Sequence, residues 1–247
     1  MGKIIIVGMG PGNNFDMTPR AKSAIESAEI IAGYKTYINL IPELVGGKKI
    51  IATAMMQENL RAQMAIDEAQ KNFTVAVISS GDAGIYGMAG LVIEKILDLP
   101  ENLQPDFEVV AGISAVNSAA AILGAPLMHD FAVISLSDLL TDWELIKKRV
   151  KCAAAGDFVI ALYNPKSKKR TTNIEEVQKI LLEFRNKNTP VGIVTNAGRE
   201  GQTKIISTLE NFTAEEINMF SLVLVGNSKT FVKNNFMITP RGYEEKY

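Results

Sequence analysis

The sequence predicts an α/β protein built mostly on parallel sheet, and three observations carry that prediction. Continuous Val/Ile/Leu-rich runs recur at Lys3–Val7, Thr74–Ser79, Phe107–Ala111, Phe131–Leu136, Asp157–Tyr163, Val191–Thr195 and Ser221–Val225. Unbroken apolar runs of this length are how strands covered on both faces read. Helix-periodic segments lie between them, the alternation that βα units produce. Glycine, asparagine and proline collect directly after the strand runs, where open α/β sheets bind their ligands.

Taken in order, Lys3–Val7 is the first strand. Thr18-Pro19 then supplies an N-cap and a proline at the first helical position, with Ala21, Ala24, Ile25 and Ala28 on one face. An Ala-rich helix over Ala115–Leu123 ends at Gly124 and is followed by Ala125-Pro126. A domain boundary is expected here, with an N-terminal α/β domain over 1–114 and a C-terminal one over 115–247. Thr141-x-x-Glu144 reads as a capping box for a helix over Trp143–Ala155, and Thr213-x-x-Glu216 as a second box. Ile174, Val177, Leu181 and Phe184 recur at helical spacing. Trp143 is expected to pack its helix on the second sheet, and Met55, Met56 and Met64 to fill core.

The 247 residues are 47% apolar and 21% charged, which argues against disorder. A formal net charge of −1 gives no overall field for nucleic acid or an anionic membrane. Cys152 is the only cysteine and His129 the only histidine, so neither a disulfide within the chain nor a protein-bound metal is expected. Cys152 reads as a buried structural thiol. The N-terminus lacks a signal peptide's length and cleavage region, and the longest apolar run is too short to span a bilayer. A cytoplasmic protein without a membrane partner is expected.

Six strand ends are unusual: Gly8-Met9-Gly10-Pro11-Gly12, Ser79-Ser80-Gly81-Asp82-Ala83-Gly84, Gly112-Ile113-Ser114, Tyr163-Asn164-Pro165, Asn196-Ala197-Gly198-Arg199 and Gly226-Asn227-Ser228. Any one is an ordinary turn; together, on both expected domains, they predict a cleft where ligands approach the main chain. The dinucleotide fingerprint fails, because Asn13 stands where its third glycine belongs, and no Walker-type loop exists. A glycine-rich cleft without a phosphate cradle suits a phosphate-free nucleoside cofactor such as S-adenosylmethionine.

Val7-Gly8-Met9-Gly10-Pro11-Gly12 and Met17-Thr18-Pro19-Arg20-Ala21 resemble the opening of the tetrapyrrole (corrin/porphyrin) methylase family. Ser79–Ala89 resembles that family's central motif in its precorrin-3B or cobalt-factor III C17-methyltransferase branch. So do Gly124–Phe131, Ile134–Leu140, Tyr163–Ser167 and Thr239–Tyr243. The matches run in order from residue 4 to residue 243. Ala83, Ala111 and Asp142 stand where the family pattern has proline.

The resemblance implies two α/β domains of the class III methyltransferase type, with a cleft for S-adenosylmethionine and substrate between them. It implies methylation of C17 of precorrin-3B or cobalt-factor III with ring contraction, in cobalamin biosynthesis, and a homodimer. S-adenosylhomocysteine would be the second product. Pro11, Ser80, Gly81, Asp82, Ile85, Ser114 and Ala115 would hold the cofactor from the first domain, and Asn164, Ala197 and Gly226 from the second. Asp82 could also cap a helix starting near Gly84. Contraction moves protons, so His129, Asp130, Ser135, Ser137 and Asp138 are acid–base candidates. The substrate is a polycarboxylate, for which Arg20, Lys35, Lys166, Lys168, Lys169, Arg170, Arg199 and Arg241 are candidate cations. The alternatives keep the fold but change the acceptor to another precorrin position, ribosomal RNA or a protein, or replace catalysis by tetrapyrrole carriage. Neutral charge and the lack of an aromatic–basic stripe weigh against RNA.

Overall fold

The computed structural model describes residues 1–167 and 170–243, and the chain divides into two compact units, Met1–Ala115 and Val116–Tyr247. In the first unit β1 (Lys3–Gly8), α1 (Pro19–Ser27), β2 (Ile30–Tyr34), α2 (Lys35–Ile38), α3 (Pro42–Val45), β3 (Lys49–Thr53), α4 (Glu58–Ala69), β4 (Thr74–Ser79), α5 (Ala89–Leu97) and β5 (Asp106–Val110) follow in order. The five strands form one sheet in the order β3-β2-β4-β1-β5, every neighbour parallel.

Alternation along the strands divides the apolar side chains between two faces. Ile4, Ile6, Val75 and Val77 pack with Ala62, Ile66, Val92 and Ile96 of α4 and α5, while Ile5, Val7, Ala76 and Ile78 pack with Ala21, Ala24 and Ile25 of α1. α1 starts where the Thr18-Pro19 signal places it, with Thr18 Oγ1 accepting from the Ala21 amide at 3.1 Å. Since all five strands run one way, all five carboxyl ends lie on one sheet edge.

The second unit begins with α6 (Ala115–Leu123) and β6 (Gly124–Ala125). β7 (Phe131–Ser135), α7 (Trp143–Ala155), β8 (Val159–Tyr163), α8 (Asn173–Leu182), β9 (Pro190–Thr195), β10 (Thr203–Thr208), β11 (Ser221–Val225), β12 (Phe231–Lys233) and β13 (Phe236–Ile238) follow. Its main sheet has the order β10-β9-β11-β8-β7. Only β7 and β8 pair in parallel; β11 is antiparallel to both β8 and β9, and β10 to β9. The expectation of mostly parallel sheet is therefore corrected for this unit. β7, β8 and β9 run one way, and β10 and β11 the other. A small sheet joins the β12–β13 hairpin, turned at Asn234 and Asn235 with φ 49° and 63°, to β6.

Several local expectations change. Asp142, not Thr141, caps α7, accepting from the Glu144 and Leu145 amides at 2.9 and 3.3 Å. Thr213 lies within a 3-10 turn, Phe212–Ala214, rather than opening an α-helix. Cys152 is exposed, because it falls on the solvent side of α7 while Val150, Ala153 and Ala154 face the core. Met55, Met56 and Met64 are also exposed. Trp143 packs partly buried against the second unit's core and donates from Nε1 to Glu176 Oε2 at 3.0 Å. Among the described residues no helix is long and apolar enough to cross a membrane.

Candidate functional site

At the carboxyl edge of the first sheet three loops lock backbone to backbone. Gly10 and Gly81 exchange amide–carbonyl hydrogen bonds of 3.1 and 2.7 Å, and the Met9 amide donates to Ser79 O at 2.9 Å. A Cβ on Gly112 would lie 2.2 Å from Gly81 O and 2.4 Å from Gly8 O, and one on Gly8 would lie 2.7 Å from Gly112 N. These two glycines are thus required by the packing of the loops on each other, where the sequence suggested room for a ligand. Gly81, at φ 70°, is required for its backbone conformation.

Asp82 fastens the arrangement. Its Oδ1 accepts from the Gly84 amide at 2.8 Å and its Oδ2 from the Gly112 amide at 3.0 Å. The following helix starts only at Ala89, so Asp82 is a loop-to-loop tie rather than a helix cap. Pro11, Gly81 and Ser114 are buried, Ser80, Asp82 and Ala115 half-buried, and Ile85 exposed. All seven cofactor residues expected from this unit fall on this one edge. The seven residues offer main-chain amides, two serine hydroxyls and one carboxylate, and no lysine or arginine. That donor set fits a phosphate-free nucleoside bearing an amino acid.

Sequence reasoning missed Arg61, which is 4% exposed on α4. Its guanidinium donates to Thr53 Oγ1 at 2.8 Å and Ala54 O at 3.2 Å, and reaches Met88 Sδ at 3.5 Å. It thereby joins the loop after β3 to the loop after β4. Burial pulls its pKa below the usual arginine value, opposed by the charge of Glu58. A lone arginine inside an amphipathic helix gives no sequence signal for this.

In the second unit the carboxyl edge of β7, β8 and β9 carries another network. Ser135 Oγ accepts from Asn164 Nδ2 at 3.0 Å and from the Ser137 amide at 3.2 Å. Asn164 sits at φ 50°, and its carbonyl accepts from Arg170 Nη2 at 2.8 Å. Arg170 Nη1 lies 3.5 Å from Asp138 Oδ1, and the arginine side chain is only 10% exposed. Arg170, a candidate cation for substrate carboxylates, turns inward and links Asn164 of its own loop to Asp138 of the loop after β7. Lys166 is half-buried nearby in sequence, while Lys168 and Lys169 lie outside the described residues. Ala197 and Arg199 belong to the turn after β9, where the Arg199 amide donates to Asn196 O at 2.9 Å.

The remaining candidates separate from this network. His129 and Asp130 precede β7, and the Asp130 carbonyl accepts from the Val159 amide at the start of β8. They therefore sit at the opposite edge from Ser135 and Asp138, roughly 13 Å away along a five-residue strand. His129 Nδ1 accepts from the Asp130 amide at 2.9 Å. Gly226 shares their edge, because antiparallel β11 ends beside the beginning of β8. Its carbonyl is taken by Arg185 Nη1, and a Cβ there would lie 2.6 Å from Thr230 Cβ. Grouping Gly226 with Asn164 and Ala197 is thereby corrected. Arg241 Nη1 reaches Met128 O at 3.4 Å, next to His129, since β13 pairs with β6. In the first unit Arg20 pairs loosely with Glu108 at 3.8 Å, and Lys35 opens α2.

Residues 3–213 match the family model described as Tetrapyrrole (Corrin/Porphyrin) Methylases, and the chain belongs to that family. A cobalt-factor III methyltransferase of Priestia megaterium is 50% identical over 100% of this chain, which spans only 46% of that relative. A probable cobalt-factor III C(17)-methyltransferase of Salmonella typhimurium is 47% identical over 96% of this chain and 98% of its own length. Among solved structures, the methyltransferase CobJ superposes with a TM-score of 0.92 at 35% identity, covering 97% of this chain and 100% of CobJ.

Proposed function

We propose that this tetrapyrrole methylase transfers a methyl group from S-adenosylmethionine to C17 of cobalt-factor III and promotes contraction of the macrocycle. The observation that carries the reading is the near end-to-end likeness to the Salmonella cobalt-factor III relative. Two relatives at 47–50% identity carry cobalt-factor III in their names, which favours that acceptor over metal-free precorrin-3B. Cobalt enters this reading as part of the substrate.

S-adenosylmethionine supplies an electrophilic methyl on a sulfonium, and an in-line displacement needs positioning more than acid–base help. The Ser80–Asp82 loop and Ser114 present hydroxyls and amides for its amino acid and ribose, with Pro11, Ile85 and Ala115 beside them. Asn164 and Ala197 are the contacts proposed from the second unit. Contraction moves protons, and Ser135 and Asp138, on the same edge as Asn164, are proposed to handle them. His129 and Asp130, at the other edge of that sheet, are not. Arg199, Lys166 and Arg20 are proposed to meet substrate carboxylates. A cytoplasmic homodimer completes the reading.

Anaerobic incubation with labelled S-adenosylmethionine and either cobalt-factor III or precorrin-3B, followed by mass and absorption spectra, tests it. The expected product is methylated and ring-contracted, formed faster from cobalt-factor III. No transfer to either acceptor by protein that binds S-adenosylmethionine would overturn the assignment.

A further inference from the structure

The carboxyl edge of the first unit carries large apolar side chains that stand outside the core. Met55, Met56, Ile85 and Tyr86 are 48%, 75%, 38% and 56% exposed. Met56 and Tyr86 also hold left-handed backbone, with φ 66° and 53°, whereas every other non-glycine residue with positive φ among the described residues is Asn or Asp. Bulky side chains avoid this region, and such conformations persist where the surroundings enforce them, commonly at ligand sites. Arg61 anchors one end of each loop, holding Thr53 and Ala54 on one side and Met88 on the other. The Met56 amide is fixed further by Glu58 Oε1 at 3.2 Å.

From this geometry we propose that Met56 and Tyr86, flanked by Met55 and Ile85, form a platform for the flat face of the tetrapyrrole substrate. The proposal rests on the reading of the chain as a tetrapyrrole methyltransferase. The two loops follow β3 and β4, which are separated in the sheet by β2 alone, a breadth of roughly 10 Å. That span suits a multi-ring macrocycle better than a single base or sugar. Residues 54–57 and 84–87 contain no charged side chain, so the platform serves the ring faces and leaves the carboxylates to cations elsewhere. A thioether and a phenol ring are polarisable partners for an extended π system.

Glycine favours positive φ, so Met56→Gly with Tyr86→Gly removes the platform while relieving backbone strain. This double variant is expected to melt no lower than wild type and to bind S-adenosylhomocysteine within about twofold of it. Its KM for cobalt-factor III and its Kd for uroporphyrin III, read from the shift of the porphyrin absorption band, should both rise by roughly tenfold or more. Met56→Leu with Tyr86→Phe should restore most of the loss. Porphyrin affinity and KM within about twofold of wild type in the double glycine variant would overturn the platform alone. Wild-type protein that neither transfers methyl nor binds the porphyrin would overturn the functional reading, and the platform with it.

Discussion

Replacing Asp82 by alanine removes a side chain that ties the loop after β4 to the loop after β5. The two bonds lost are carboxylate-to-amide contacts of 2.8 and 3.0 Å. Hydrogen bonds to a charged group contribute about 1.5–3 kcal/mol each. Asp82 is half-buried, so solvent screening reduces this to about 1 kcal/mol per bond. Some 2 kcal/mol of loop ordering, about 30-fold in an equilibrium constant, then separates wild type from Asp82→Ala.

The same loops supply Ser80, Gly81 and Ser114, so a ligand must re-order them on binding. Titration calorimetry with S-adenosylhomocysteine should therefore show Kd rising about 30-fold in Asp82→Ala. Asp82→Asn should fall between the two, because its amide oxygen satisfies one N–H while its NH2 opposes the other. An Asp82→Ala protein that binds within about threefold of wild type would refute the view that this carboxylate organises the pocket.

Arg170→Ala should lower turnover at least tenfold by releasing the Asn164 carbonyl and Asp138 together, with Arg170→Lys recovering only part; unchanged steady-state kinetics would count against an inward structural arginine. Ser135→Ala should slow ring contraction relative to methylation, whereas His129→Ala, at the far end of β7, should leave both steps within about threefold; product spectra that show the reverse would restore His129 to the mechanism. Glu68 bridges Lys49 and Lys71 at 2.8 and 3.0 Å, and its hydrogen bonds to them hold its pKa below the usual 4.5. A depressed carboxylate stabilises the fold above its unfolded pKa and loses that contribution as pH falls through the folded value. Glu68→Gln should accordingly flatten the decline of melting temperature below about pH 4.5, and an identical acid limb in both proteins would exclude the pair as its source.

Three elements, α6, α7 and β11, keep the expected limits Ala115–Leu123, Trp143–Ala155 and Ser221–Val225. Periodicity and glycine stops decide such elements within one stretch of chain. β2 and β3 carry little sequence signal, because each is five residues long, one interrupted by Gly33 and the other opened by Lys49. Strand direction is a different kind of property, since it depends on which distant strand a segment pairs with. In the first unit every strand is parallel, so the loops Gly8–Gly12, Ser79–Gly84 and Gly112–Ser114, separate in sequence, meet on one edge. Gly226 falls at the opposite edge because β11 runs against β8, and His129 and Ser135, close in sequence, are separated in space by the length of β7. Exposure of Met55 and Met56 was equally hidden: composition marks methionine as core, and only the loop after β3, held by Arg61, turns both toward solvent. An apolar residue at a strand end in an α/β chain thus has two readings, filler or ligand surface, and the anchoring of its loop decides between them.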